Sequence, residues 1–295
     1  MEFAEVIRSA QNKSDWVIWL STDAGKAATE TLSFLSVCYS NIPKIKRRSI
    51  RKRLLAGSPD EKDAVIRELV AFELLKRLRL QPDWSPKTDG KNPDLVFTVK
   101  GEKFIADVFL VKSPKKTISK LDSIHTVFWD KPQSQSESRS HKIAEIIKRK
   151  SNNYSQLKYP LVLFVFFADN WGLDEQKVES ALYGITLYEI QRDEIYPNDE
   201  THHLSCSNLA SVITCKWFDT SNLADEGKRL RCIVLHNWTT NSVLPIEAFS
   251  SFGQVTWNTT GKNKRPHYDG NLNMVAKFQG ENQLEIKPHT WDNHW

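Results

Sequence analysis

Cysteine is scarce here: four in 295 residues (Cys38, Cys206, Cys215 and Cys232), with no C-x-x-C spacing among them. That speaks against a disulfide framework and a zinc ribbon, and for reduced thiols in a cytoplasmic protein. Long hydrophobic runs are also missing. The longest, Leu161 to Ala168, is far shorter than the roughly 20 apolar residues a membrane-spanning helix needs. Charge begins at the second residue, so neither a signal peptide nor a membrane partner is expected. There is no Gly-rich phosphate loop, no G-x-S-x-G elbow and no H-E-x-x-H helix, so the commonest phosphate-loop, serine-nucleophile and zinc-peptidase chemistries have no foothold.

What is present is an ordinary globular composition, 40% hydrophobic and 26% charged, with length enough for one large domain or two small ones. Forty-one Lys and Arg against 36 Asp and Glu leave a formal charge of +5, which suits a polyanionic partner. The basic residues are concentrated. Lys44, Lys46, Arg47, Arg48, Arg51, Lys52 and Arg53 fall within ten residues uninterrupted by any acid. Such a run reads either as a phosphate-contacting helix or as a solvated helix face.

The stretch from Glu68 to Lys112 organises the rest. A helix from about Asp60 to Leu80 is apolar almost all round and carries two acids, Glu68 and Glu73. An acid in such surroundings needs a metal or a partner, with Arg67, Arg77 and Arg79 as candidates. A first strand is expected over Gln81 to Lys87. A hairpin follows, with Leu95, Phe97 and Val99 on one face and Asp94, Val96 and Thr98 on the other. Lys100-Gly101-Glu102 makes the turn. The return strand, Lys103 to Val111, puts Phe104, Ala106, Val108 and Leu110 on one side and Asp107 on the opposite side. Pairing across the hairpin brings Asp94 and Asp107 together. Two converging carboxylates call for a cation, and all-oxygen ligands favour Mg²⁺ or Mn²⁺.

Around this centre the chain divides into 1–56, helical and basic; 57–257, the α/β body; and 258–295, a tail or cover for the core. Ser113 to Ser140 is polar, with a loose stretch at PQSQSESRSH, and leads into a helix over Ser140 to Leu157. Leu161 to Ala168 reads as a strand buried on both faces. A helix over Asp174 to Leu182 and strands at Leu209 to Trp217 and Leu230 to His236 complete the pattern. His202 and His203 with Cys206 lack a recognised zinc spacing, and Trp84, Trp129 and Trp171 are candidates to stack on bases.

Pro93-Asp94, Asp107 on the next strand and the preceding helical Glu68 resemble the PD-(D/E)xK nuclease superfamily. Further pieces match an uncharacterised prokaryotic and mobile-element branch of it: Glu68-Leu69, a K-x-x-x-Y from Lys150 to Tyr154, Pro160 to Leu163, and Ala181 to Gly184. The resemblance implies a restriction-endonuclease-like mixed sheet flanked by helices, with an N-terminal helical extension. It further implies Mg²⁺- or Mn²⁺-dependent hydrolysis of DNA, in restriction or antiviral defence, by a homodimer or a subunit of a larger defence complex. Asp94 and Asp107 would hold the metal, supported by Glu68. The strand motif departs from acid-x-Lys, because Phe109 stands where the lysine belongs. A substitute cation is expected from Lys150 on the next helix, or from Lys112 through a bulge, with Phe109 packed against the Glu68 helix. The alternative is an inactive nuclease fold that binds nucleic acid or a protein.

Overall fold

The computed structural model describes residues 2–22, 25–111, 133–167, 174–183, 206–217, 229–237, 240, 243–258, 265–270, 272, 274–280 and 283–288. It is a mixed α/β architecture: a ten-stranded mixed sheet with helices on both faces.

Four helices open the chain: α1 (Phe3–Ser9), α2 (Asp15–Thr22), α3 (Lys26–Asn41) and α4 (Lys44–Ala56). They bury Phe3, Val6, Ile7, Val17, Leu20, Phe34, Leu35, Ile50 and Leu54 in one cluster with α5 (Pro59–Arg77) and a face of the sheet. The basic run is therefore helical and belongs to that core through Ile50 and Leu54. Helix α5 starts at a capping box on Ser58, just before the expected Asp60. Ser58 accepts from Glu61 N at 3.2 Å, Glu61 accepts from Ser58 N at 2.7 Å, and Pro59 occupies the first turn.

The sheet runs β1 (Asp83–Trp84), β2 (Leu95–Val99), β3 (Glu102–Val111), β4 (Leu161–Phe167), β5 (Leu209–Trp217), β6 (Arg229–His236), β7 (Gly253–Asn258), β8 (Arg265–Asp269). Strand β1 is shorter than the expected Gln81 to Lys87, because Gln81 and Ser85 adopt φ of 46° and 42° and end it on both sides. Strands β1, β2 and β3 form an antiparallel meander, and β3, β4 and β5 are parallel. Lys100 (φ 50°) and Gly101 (φ 87°) make the two-residue hairpin turn with both central residues left-handed. Every residue of β4 is buried, Val162, Phe164 and Phe166 toward α5 and Leu161, Leu163, Val165 and Phe167 toward the opposite layer.

That opposite layer is α6 (Gln133–Asn153) and α7 (Asp174–Tyr183), which bury Ile143, Ile147, Val178, Leu182 and Tyr183. Helix α6 begins well before the expected Ser140, so part of the polar stretch read as loose is helical. The segment expected as a tail also forms strands: β8, then a hairpin of β9 (Met274–Gln279) and β10 (Gln283–Pro288). Strand β9 pairs with β6 at Arg229–Arg231, alongside the stretch of β6 that pairs with β7. Phe278 packs on Phe34, ring centroids 4.8 Å apart, so this hairpin closes the first core.

Candidate active site

Asp94 sits just ahead of β2, and the register that pairs Leu95 with Ala106 carries forward to put it opposite Asp107. Strand β2 is too short to pair the next part of β3. The exposed ladder position is met by a side chain instead: Val108 N donates to Asp94 Oδ2 at 2.8 Å. Asp107 is buried, with its Oδ2 2.6 Å from Lys150 Nζ. Tyr154, just beyond α6, donates its hydroxyl to Asp107.

The cation reaches the strand because of the helix period. Ile143, Ile147, Lys150 and Tyr154 follow the stripe that faces the sheet, so Lys150 is a lysine at a core-facing position. Its ammonium ends at a carboxylate, which compensates the charge at that half-buried position. The last turn of α6 is pinned from β5's entry: Asn208 Nδ2 donates to Ser151 O at 2.9 Å, and Ser151 Oγ donates to Asn208 Oδ1.

Glu68 approaches from α5. It is not partnered by Arg67, Arg77 or Arg79; Arg53 of α4 takes both oxygens, at 2.6 and 2.7 Å. Arg77 is committed to Glu73 at 2.5 Å, where Asn41 Nδ2 also donates at 2.8 Å. Phe109 is corrected as well. It has the parity of Asp107 and packs in the α6 layer, not against α5.

Electrostatically the site holds three acids and two cations. Burial raises the Asp94 carboxyl well above the usual carboxylate range although part of it still meets solvent; the charges of Glu68 and Asp107 push it further, and the Val108 amide opposes them. Burial raises the Tyr154 phenol, with the two aspartates adding to it. Burial lowers the Arg53 guanidinium, but the Glu68 carboxylate outweighs it and the net shift is upward.

The basic run divides by role. Arg53 is consumed by Glu68; Lys46 donates to Ser85 O at 3.1 Å; Arg47 donates to Ile42 O at 2.8 Å and Ser40 O at 2.5 Å. Lys44, Arg48, Arg51 and Lys52 are exposed, and the last three border a shallow depression of about 620 Å³ with Ile45, Ser49 and Leu55. Lys112, Trp129, Trp171, His202 and His203 lie outside the described residues. Trp84 is buried edge-on to Phe72 and offers no face to a base.

The sequence pointed to the acids and Lys150 but not to Tyr154 as a site residue, and put Arg53 on a phosphate-contacting or solvated helix face. No local signal tied Arg53 to Glu68, because the contact depends on how α4 packs against α5. No family model, curated protein or solved structure matches the chain. Among the described residues no three His, Cys, Asp or Glu side chains form a ready metal cage, and no helix is long and apolar enough to cross a membrane.

Proposed function

We propose that the protein is a metal-dependent nuclease of restriction-endonuclease-like fold that hydrolyses DNA phosphodiester bonds, in restriction or defence against foreign DNA. One observation carries the reading: Lys150 Nζ lies 2.6 Å from Asp107, on the strand that faces Asp94, although the strand's own lysine position is Phe109. The order α5, β1–β2–β3 meander, α6, parallel β4 supports the fold assignment.

The residues present suit a hard divalent cation. The donors are oxygens, and the cluster has one carboxylate more than it has side-chain cations. Asp94 and Asp107 would hold Mg²⁺ or Mn²⁺, which commonly takes one or two carboxylates and fills its remaining positions with water and phosphate oxygens. Bound there, the ion would polarise the phosphate and lower the pKa of a water. Lys150 places a positive charge where negative charge builds on the phosphate. Asp107 aims that ammonium, and Tyr154 fixes Asp107. Arg48, Arg51 and Lys52 hold flanking phosphates without reading bases.

Plasmid cleavage in Mg²⁺, in Mn²⁺ and in EDTA tests this directly. Cutting is expected with metal only. Asp94→Asn and Asp107→Asn should abolish it at unchanged circular dichroism, and Lys150→Met should slow it by a factor on the order of 10² to 10⁴. Variants that cut like wild type at saturating Mg²⁺ would place the chemistry elsewhere.

A second reading has its own observation. Arg53–Glu68 and Lys150–Asp107 neutralise most of the cluster without any metal, as in a fold kept for binding. DNA retention in a mobility-shift assay with no cleavage in either metal selects that reading.

A further inference from the structure

We propose that Cys215 and Cys232 are an oxidative modification site: a thiol pair that a hydroperoxide converts to a disulfide stapling β5 to β6. The pair lies on the opposite face of the sheet from Asp107 and takes no part in the chemistry proposed there.

Register puts the two thiols together. Cys215 and Cys232 are direct partners in the β5–β6 ladder, wholly buried in the first core, with their sulfurs 3.7 Å apart. Antiparallel ladders alternate hydrogen-bonded with non-hydrogen-bonded pairs. Asn237 N donates to Ala210 O at 3.0 Å, which marks the rung just beyond Ser211–His236 as hydrogen-bonded. Counted along from there, Cys215–Cys232 falls on a non-hydrogen-bonded rung. On such rungs the side chains stand closest, with Cα atoms about 4.5 Å apart, inside the range a disulfide accepts. Closing from 3.7 Å to the roughly 2.05 Å of a disulfide asks each sulfur to move about 0.8 Å. Cys38, in α3, and Cys206, ahead of β5, have no place in that ladder.

The position is also one where a staple has an effect. The far edge of β6 changes partner there: Arg231 pairs with Val275 of β9 and Ile233 with Gly253 of β7, leaving Cys232 between the two. Both cysteines lie within three residues of a strand end, so fraying opens the pair to a small oxidant. Burial holds the Cys215 thiol well above the ordinary thiol range, so proximity and not thiolate character selects this pair. One thiol gives up its proton and attacks the hydroperoxide, breaking the O–O bond to leave a sulfenic acid and an alcohol or water. The second thiol then displaces water from that sulfur and the S–S bond forms. The two thiols lose two hydrogens and two electrons, and the peroxide takes them up.

The whole protein, reduced and then held in hydrogen peroxide well below its melting temperature, is weighed before and after alkylation in denaturant. The mass should fall by two hydrogens, and two of the four cysteines should resist alkylation. Digestion should yield the Cys215 and Cys232 peptides linked until dithiothreitol is added. The oxidised protein should melt roughly 5 °C or more above the reduced one, as expected for cross-linking positions 17 residues apart. Cys215→Ala and Cys232→Ala should each leave all remaining thiols free, whereas Cys38→Ala should still close. Should the first two variants not fold, the linked peptide and the melting shift of wild type decide the matter. Four free thiols after peroxide, a different linked pair, or a sulfinic acid in place of the link overturns the proposal. So does an oxidised form that melts at or below the reduced one, since the native sheet then does not accept the bond.

Discussion

Asp94 is asked to do two things at once: to close a strand ladder through its carboxylate and to sit among two other acids. Its raised pKa is the result, caused first by burial and then by Glu68 and Asp107. Unfolded, it titrates near the usual value of about 3.9. A carboxyl raised on folding contributes stability that is fully present below the unfolded pKa and lost as pH rises through the folded one. In EDTA, the urea midpoint of wild type should therefore fall as pH climbs from the carboxylate range toward neutrality, and Asp94→Asn should flatten that decline. Parallel curves for the two proteins would show that Asp94 ionises freely in the native state. At this scale the sequence disclosed the acids, because parity on two short strands is a strict rule. It did not disclose which arginine faces Glu68. That depended on where α4 lies against α5, a tertiary choice that no local spacing encodes.

Helix α4 is the element that connects the site to the surface. Its inner side buries Ile50 and Leu54, its flank sends Arg53 to Glu68 and Lys46 to the carbonyl of Ser85, and its outer side exposes Arg48, Arg51 and Lys52. Of the seven basic residues in sequence, Arg48, Arg51 and Lys52 thus line the depression, while Lys44 is exposed outside it. Replacing Arg48, Arg51 and Lys52 with Gln is expected to flatten the slope of log K against log salt for duplex DNA by about 0.9 for each phosphate no longer neutralised. An unchanged slope would remove α4 from the nucleic-acid interface. Element boundaries were legible where a chemical stop is written in the chain, as at Ser58-Pro59 and Lys100-Gly101. They were not legible in α6, whose first half has too few apolar residues to show a period.

Across the whole molecule the first core is closed by its two ends: helices α1 to α3 and the β9–β10 hairpin both pack on α5's layer. Arg77 ties them. Besides its pair with buried Glu73, it donates to Gln279 O at 3.1 Å, Gly280 O at 3.2 Å and also Gln283 O. Arg77→Met should cost about 3–5 kcal/mol, the range for orphaning one partner of a buried pair, read as a drop in urea midpoint, and Glu73→Gln in the same background should recover part of it. A loss within error of zero would mean that the hairpin is held by its apolar packing alone. This closure was hidden from the sequence because β9 owes its place to pairing with the distant β6, and a short strand without strict alternation leaves no periodic trace. The bond between Val108 N and Asp94 has a bearing beyond chemistry. By register the partner of that amide would be Pro93, and β2 has ended before reaching it. An unsatisfied amide on a strand edge is a template for a strand of another molecule. The carboxylate that serves the site thus also blunts an adhesive edge, and guarding against self-association and keeping the site in order fall to the same side chain.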